Sequence, residues 1–319
     1  MQIEHAFSIR RRIVPALFAV ICGVLLAACG TFGASPVAGD SREQSETLVT
    51  EWYYEHLDED HRNAYDAFRR SASDPFSPEL SVILDSEGKE EEISTGELDS
   101  VYQGFLYDHP ELFWLDRTYR FRIRSTGEAQ TADAVGVIPL CGSAEEISQY
   151  TERFTEASDA LLKQLGTSSG DGKDTAEIYD ILAGHTAFAE EALFEESMVH
   201  AHTAYGAIVE GSAVCDGYAL ALKYLMNCRG IECIVIPGTV NGAAHVWNTA
   251  FWDGRWHEMD ITWDAAGKDS IQYKEGMQYF DLTTEEMERD HIREPEGIGT
   301  MVPVSEVRKS ASFPNRSAL

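Results

Sequence analysis

Two runs of alternating residues, His245-Val-Trp-Asn-Thr-Ala-Phe-Trp252 and Arg255-Trp-His-Glu-Met-Asp260-Ile-Thr-Trp263, are separated only by Asp253-Gly254. Asp-Gly is a strong two-residue hairpin signal, because a type I′ turn needs positive φ at both central positions. A turn that tight fixes the register of everything beyond it. Trp247 then opposes Asp260 and His245 opposes Thr262, and these four residues share one face. His245 is diagonal to Asp260, and diagonal Cα atoms stand about 7–8 Å apart, within reach of an imidazole–carboxylate hydrogen bond. Asp264 is a second diagonal neighbour, and register alone leaves that choice open. His257 falls on the opposite face and reads as a structural histidine.

Upstream, Gly211-Ser-Ala-Val-Cys215-Asp-Gly-Tyr-Ala-Leu-Ala-Leu-Lys-Tyr-Leu-Met-Asn-Cys-Arg-Gly230 predicts a helix whose apolar face is Ala219, Leu222, Leu225 and Met226, with Gly230 as its stop. Cys215 sits at or just before the first turn. There, unpaired backbone N–H groups and the macrodipole favour a thiolate and can also hold an oxyanion. A cysteine at a helix start is as often a buried structural residue. A histidine and an acid phased together on a following hairpin shift that balance. An imidazole oriented by a carboxylate keeps its other nitrogen for a thiol. Between helix and hairpin, Ile231 to Val240 reads as a strand, with Asn241-Gly242 as its turn.

The N-terminus is of another kind. Arg10, Arg11 and Arg12 precede an apolar stretch from Ile13 to Ala28, too short for a comfortable membrane span and suited to a signal peptide. It ends in Leu26-Ala27-Ala28-Cys29-Gly30, which resembles a bacterial lipobox in which Cys29 is acylated. An ordinary signal cleaved near Ala28 is the other reading. Residues 1–28 are therefore expected to be a lipoprotein signal and 29–46, rich in Gly, Ser, Pro and Ala, a flexible tether. Anchoring through lipid on Cys29 would place the protein at the cell membrane, facing away from the cytoplasm.

The net charge of −29 repels phosphate backbones, so nucleic acid is not an expected partner. Of six cysteines, Cys22 leaves with the signal and Cys29 carries lipid, leaving Cys141, Cys215, Cys228 and Cys233. Four are too few for a disulfide scaffold, although Cys228 and Cys233 lie close enough in sequence to pair. No CxxC or HExxH spacing points to a metal, and no cofactor is expected.

Helical spacing from Thr47 to about Arg70, a helix from Thr95 to His109-Pro110, and a strand pair at Arg117–Arg124 and Ala132–Leu140 make residues 47–140 a small α+β domain. The strand alternates Tyr119, Phe121 and Ile123 with outward arginines. Ser143-Ala-Glu-Glu predicts a capping box opening a helix, and Thr175–Glu191 a further one.

The phrases AYGAIVEGSAVCDGYA and AAHVWNTAFWDGRWHEMDITWD resemble the transglutaminase-like family: a nucleophile in C-x-G-Y-A, then H-x-W-N, then D-x-T-W. The similarity spans roughly residues 175–292, including the tail YFDLTTEEMERDH; DHPELFWL is a weaker match. It implies an α+β, papain-like core over residues 141–300, a nucleophile helix packed on an antiparallel sheet, followed by a tail at 301–319. It selects Asp260 over Asp264 and implies a catalytic Cys215, His245 and Asp260. Tyr205 is a candidate second oxyanion donor, a satisfied core tyrosine being the alternative, and Trp247 a candidate substrate contact or packing wall. The implied activity is acyl transfer or hydrolysis on a protein, peptide or cell-wall substrate. A non-catalytic peptide- or cell-wall-binding module on the same fold is the rival. Substrate and acceptor are not legible.

Overall fold

The computed structural model describes residues 4–5, 50–126, 129–166, 172–195, 197–266 and 278–306. Cys29, the tether and nearly all of the expected signal lie outside the described residues. Among the described residues, no helix is long and apolar enough to cross a membrane.

The first half holds β1 (Glu4–His5), α1 (Trp52–His56), α2 (Glu59–Ser73), β2 (Ser81–Val82), β3 (Ile93–Ser94), α3 (Thr95–Asp108), β4 (Leu115–Thr126) and β5 (Ala129–Pro139). The second holds α4 (Ala144–Leu162), α5 (Gly172–His185), β6 (Ala187–Phe188), β7 (Ser212–Ala213), α6 (Cys215–Asn227), β8 (Cys233–Val240), β9 (Ala243–Trp252), β10 (Arg255–Met259), α7 (Ile261–Ala266), α8 (Thr284–Met287) and β11 (His291–Arg293). The fold is α+β: one sheet is ordered β1-β4-β5-β2 with β3 also on β5, and an antiparallel sheet is ordered β10-β9-β8-β11.

The helix expected from 47 to 70 is two helices. Leu57 is extended, and the Asp58 carboxylate accepts from His61 N at 3.1 Å, capping α2 and competing with continuation of α1. β4 and β5 form the expected hairpin, with a register shift between Arg122 and Ile123 that leaves Asp133 opposite neither. Asp133 is buried and pairs with both Arg122 and Arg124, so those arginines are neutralised rather than simply solvated. Ser143 caps α4 by accepting from Glu146 N, but the Glu146 carboxylate turns to Gly142 N at 2.7 Å, so the reciprocal bond of a capping box goes one residue further back. α5 stops at His185, short of Glu191. Thr186 donates to Ala207 O, and Ala187 N donates to Gly211 O, which draws the chain into β6 beside the strand preceding Cys215.

In the second sheet Asp253 and Gly254 take φ of 50° and 76°, and the ladder runs from Trp252–Arg255 to Asn248–Met259, the register expected of a two-residue turn. It goes no further. α7 begins at Ile261, so Thr262 does not oppose His245 on a strand. The cause is Asp260, whose Oδ1 accepts from Thr262 N (2.9 Å) and Trp263 N (3.3 Å) and starts the helix.

The N-terminal helices are bonded into this second sheet and share one hydrophobic core with it. Tyr53 donates its hydroxyl to Val235 O at 2.5 Å. Lys223, buried on α6, donates to Thr50 O (3.1 Å) and Cys233 O (2.9 Å). Asp108, in the DHPELFWL phrase, accepts from Tyr53 N, Tyr54 N and the Tyr65 hydroxyl, joining α1, α2 and α3. Burial pushes its carboxyl up to about 6 despite the nearby Lys223 and His109 charges.

Candidate active site

Cys215 is the first residue of α6, after Val214, which is extended and contributes no side-chain cap. β7 pairs with β6, and Val214 N donates to Ala201 O at 2.9 Å, so the approach to the cysteine is held from both sides. Gly217 explains the small residue in C-x-G: a Cβ there would stand 2.5 Å from Ala201 O and 2.8 Å from the Ala213 side chain. Tyr218, next in the motif, donates to Thr186 O at 2.6 Å.

α6 lies on β8 and β9, and Asn248 of H-x-W-N fixes it there by donating to Ala219 O at 2.9 Å. The thiol meets the edge of β9 where β10 has ended. Val246 opposes Pro237, which has no N–H, and the Pro237 carbonyl accepts instead from Glu294 N. The Val246 N–H, left off the ladder, reaches the Cys215 sulfur, as does Asp216 N–H at the helix start. Both act to favour a thiolate, but burial, together with the Asp216 and Asp260 charges, pushes the thiol well above its ordinary value. The resting thiol is therefore protonated. Asp216 itself is buried, facing His202 Nδ1 at 2.7 Å and Arg117 at 3.4 Å.

His245 stands on the β9 residue next to Val246, and its Nε2 lies 2.6 Å from Asp260 Oδ2. Both side chains are buried. Burial works to raise the Asp260 carboxyl, yet His245 and His291 hold it far below the usual carboxylate range. Of the two acids left open by register, Asp260 is the one that meets His245. Asp264 accepts from the Tyr179 hydroxyl (2.7 Å), Gln278 N and Tyr279 N, and burial raises it to about 6.

Trp247 is buried, stacks 6.3 Å from the His245 ring and donates Nε1 to Glu258 Oε2 at 2.8 Å. These are the contacts of a packing wall. Glu258 is in turn paired with Arg293 at 2.5 Å. Tyr205 is packed among Phe113, Tyr150, Phe154 and His200, the surroundings of a core tyrosine. His257 is buried, bonded to Asp281 Oδ1 (2.7 Å) and stacked on Trp252 at 3.5 Å, as a structural histidine should be. Cys141, Cys215, Cys228 and Cys233 are all free thiols, so Cys228 and Cys233 do not pair.

His291, absent from the sequence reading, completes the cluster. Its Nε2 lies 3.0 Å from the same Asp260 oxygen that His245 meets, and its Nδ1 lies 2.6 Å from Asp290 Oδ1. The motif-bearing tail ERDH held it, but nothing in its spacing pointed back to Asp260. Among the described residues, His245, Asp260 and His291 are also the group of possible ligands close enough to share a cation, within 4.8 Å of one another. Two imidazoles hydrogen-bonded to one carboxylate oxygen account for that closeness without an ion.

No family model matches the chain. By sequence it is similar to the kyphoscoliosis peptidases of Homo sapiens and Mus musculus, 32% and 31% identical over 72 residues. That segment is 19% of this chain and 11% of either relative, so the chain spans only about a tenth of their length. Among solved structures it is similar to one described as a TGase, with a TM-score of 0.34, 14% identity, and 50% of this chain aligned to 48% of that one. In the order and content of its cysteine, histidine and aspartate motifs, the chain resembles the transglutaminase-like proteins.

Proposed function

We propose that this is a thiol enzyme that transfers or hydrolyses acyl groups from peptide or carboxamide bonds, with Cys215 as nucleophile, His245 as base and Asp260 as its orienting acid. The observation that carries the reading is the buried 2.6 Å contact of Asp260 with Nε2 of His245, the β9 neighbour of Val246, whose N–H reaches the Cys215 sulfur. A neutral thiol, rather than a standing ion pair, begins the cycle. The thiol proton passes to His245 Nδ1 as sulfur bonds to the substrate carbonyl carbon. N–H groups at the start of α6 receive the oxyanion, and His245 returns the proton to the departing nitrogen. The thioester then yields to an amine or to water. A mostly apolar cleft of about 190 Å³, lined by Pro237, Ala244, Val246 and Ile292 together with Arg293 and Glu294, lies beside His245 and suits a side chain flanking the scissile bond. Lipid on Cys29 would hold the enzyme at the cell membrane, facing outward, with protein, peptide or cell-wall strands as substrates.

The test is alkylation of Cys215 by iodoacetamide in the wild type and in His245→Ala. Faster labelling with the histidine present supports the enzyme. Labelling indifferent to it overturns the reading and leaves a binding module. Mass spectrometry of peptides incubated with the protein and with Cys215→Ala then separates amine addition from cleavage.

A further inference from the structure

Asp260 Oδ2 is approached by two imidazoles, His245 at 2.6 Å and His291 at 3.0 Å, while Oδ1 is occupied by Thr262 N and Trp263 N. An ionised carboxylate only accepts, so both Nε2 atoms must carry hydrogen. For His245 this leaves a lone pair on Nδ1, the tautomer a thiol needs. His291 differs, because its other nitrogen is also spoken for. Nδ1 faces the carboxylate of Asp290, again an acceptor, at 2.6 Å. A histidine that donates from both nitrogens is an imidazolium.

The surroundings of His291 are consistent with a standing positive charge. Its own turn presents Asp290, whose second oxygen takes the Tyr279 hydroxyl at 2.8 Å. Across the cluster stand Asp260 and the His245 ring, 5.5 Å away, and Tyr279 lies at 5.4 Å. Trp247 and Trp263 close the remaining sides with uncharged faces, and β8 presents Val240. No other cation is bonded to Asp260 among the described residues. Burial opposes the charge on His291, yet the two carboxylates raise its pKa above the ordinary value.

We infer that His291 is a positioning residue, a permanent imidazolium clamped between Asp260 and Asp290, which fixes Asp260 and takes up part of the negative charge that His245 would otherwise face alone. It rests on the reading of Cys215 and His245 given above. With Asp260 shared, the protonated form of His245 is held less tightly, so His245 gives its proton to the departing nitrogen more readily. His291 keeps both of its own protons throughout. It also explains how a buried carboxylate remains ionised before His245 has gained any charge.

Long-range ¹H–¹⁵N correlation spectra of the ¹⁵N-histidine-labelled full chain read the protonation of each ring nitrogen directly. At pH 7, His291 is expected to carry hydrogen on both nitrogens and His245 on Nε2 alone. In His291→Gln, which keeps one donor toward Asp260 but no charge, the acid limb of Cys215 alkylation is expected to move to higher pH. Asp290→Asn is the second variant, should His291→Gln fail to fold, and it is expected to move the His291 titration to lower pH. A His291 lacking hydrogen on one nitrogen at pH 7 overturns the proposal. So does an acid limb of alkylation that stays in place in a folded His291→Gln, or a His291 unmoved by Asp290→Asn. The spectra need no turnover, so failure there leaves His245-dependent alkylation standing. Alkylation indifferent to His245 with the spectra as expected removes the thiol reaction and keeps the clamp.

Discussion

Gly238 and Trp247 are in such close contact that a Cβ on the glycine would stand 2.6 Å from the indole ring and 2.3 Å from Ile292 O. The glycine lies opposite His245 in the β8–β9 ladder and opposite Arg293 in the β8–β11 ladder, so three strands close over it. The indole packed into that space also stacks on His245 and meets His291 edge-on. Gly238→Ala is expected to destabilise the protein by about 1–3 kcal/mol through overpacking. It should also slow Cys215 alkylation by displacing Trp247. Thermal melting and a labelling time course check the two together; an unchanged melting temperature would show that the strands part freely.

Asp260 uses both oxygens as acceptors, one for the imidazoles and one for the start of α7. Asparagine has only one acceptor oxygen, so Asp260→Asn must give up either the His245 contact or the helix cap. A loss of about 10²–10⁴-fold in acyl transfer is expected, from a misoriented or wrongly tautomeric His245. The check is turnover of a peptide or carboxamide substrate beside the wild type, with circular dichroism to show that the fold persists.

Lys223 puts a charge into the core, where its ammonium meets Thr50 O and Cys233 O and acts on Asp108. Lys223→Met keeps the length of the side chain but leaves two carbonyls without their donor and takes a nearby positive charge away from Asp108. A loss of about 2–4 kcal/mol is expected. Denaturant unfolding measures it, and a Lys223→Met protein as stable as the wild type would remove Lys223 as the link between the N-terminal segment and α6.

His109 is buried beside Glu51 and Glu111, at 3.2 and 3.5 Å. Burial alone would lower its pKa, but the two carboxylates raise it from 6.5 to about 9. A raised folded-state value means that the contribution is complete below about pH 6.5 and is lost as pH climbs through about 9. The full shift corresponds to about 3 kcal/mol. Urea midpoints at pH 6 and pH 9.5 should therefore differ in the wild type, and His109→Gln should flatten the difference.

Local chemistry wrote the hairpin into the sequence. Asp253-Gly254 can form one kind of tight turn, and that turn aligns Trp252 with Arg255 and every pair behind them. The nucleophile helix was legible for a similar reason, since Ala219, Leu222, Leu225 and Met226 repeat at helical spacing and all are buried. Asp260-Ile-Thr-Trp was misread as strand because β-branched and aromatic residues favour strands, whereas the carboxylate diverts the chain by bonding Thr262 N and Trp263 N. The break between α1 and α2 was hidden in the same way by the Asp58 cap. His291 was out of reach of any such reading. Its contact with Asp260 joins positions far apart in the chain, and only β11 pairing with β8 brings them together.

The place where β10 leaves β9 has a practical consequence for the choice of an inactive control. Sulfur, not a neighbouring strand, faces the Val246 N–H. Cys215→Ala therefore strips a buried donor of its acceptor as well as removing the nucleophile, and the mutant should unfold more easily by about 1 kcal/mol. Cys215→Ser retains an acceptor at that position and is the quieter knockout. Differences between the two in substrate capture would then report on backbone relaxation at the edge of β9, separately from chemistry.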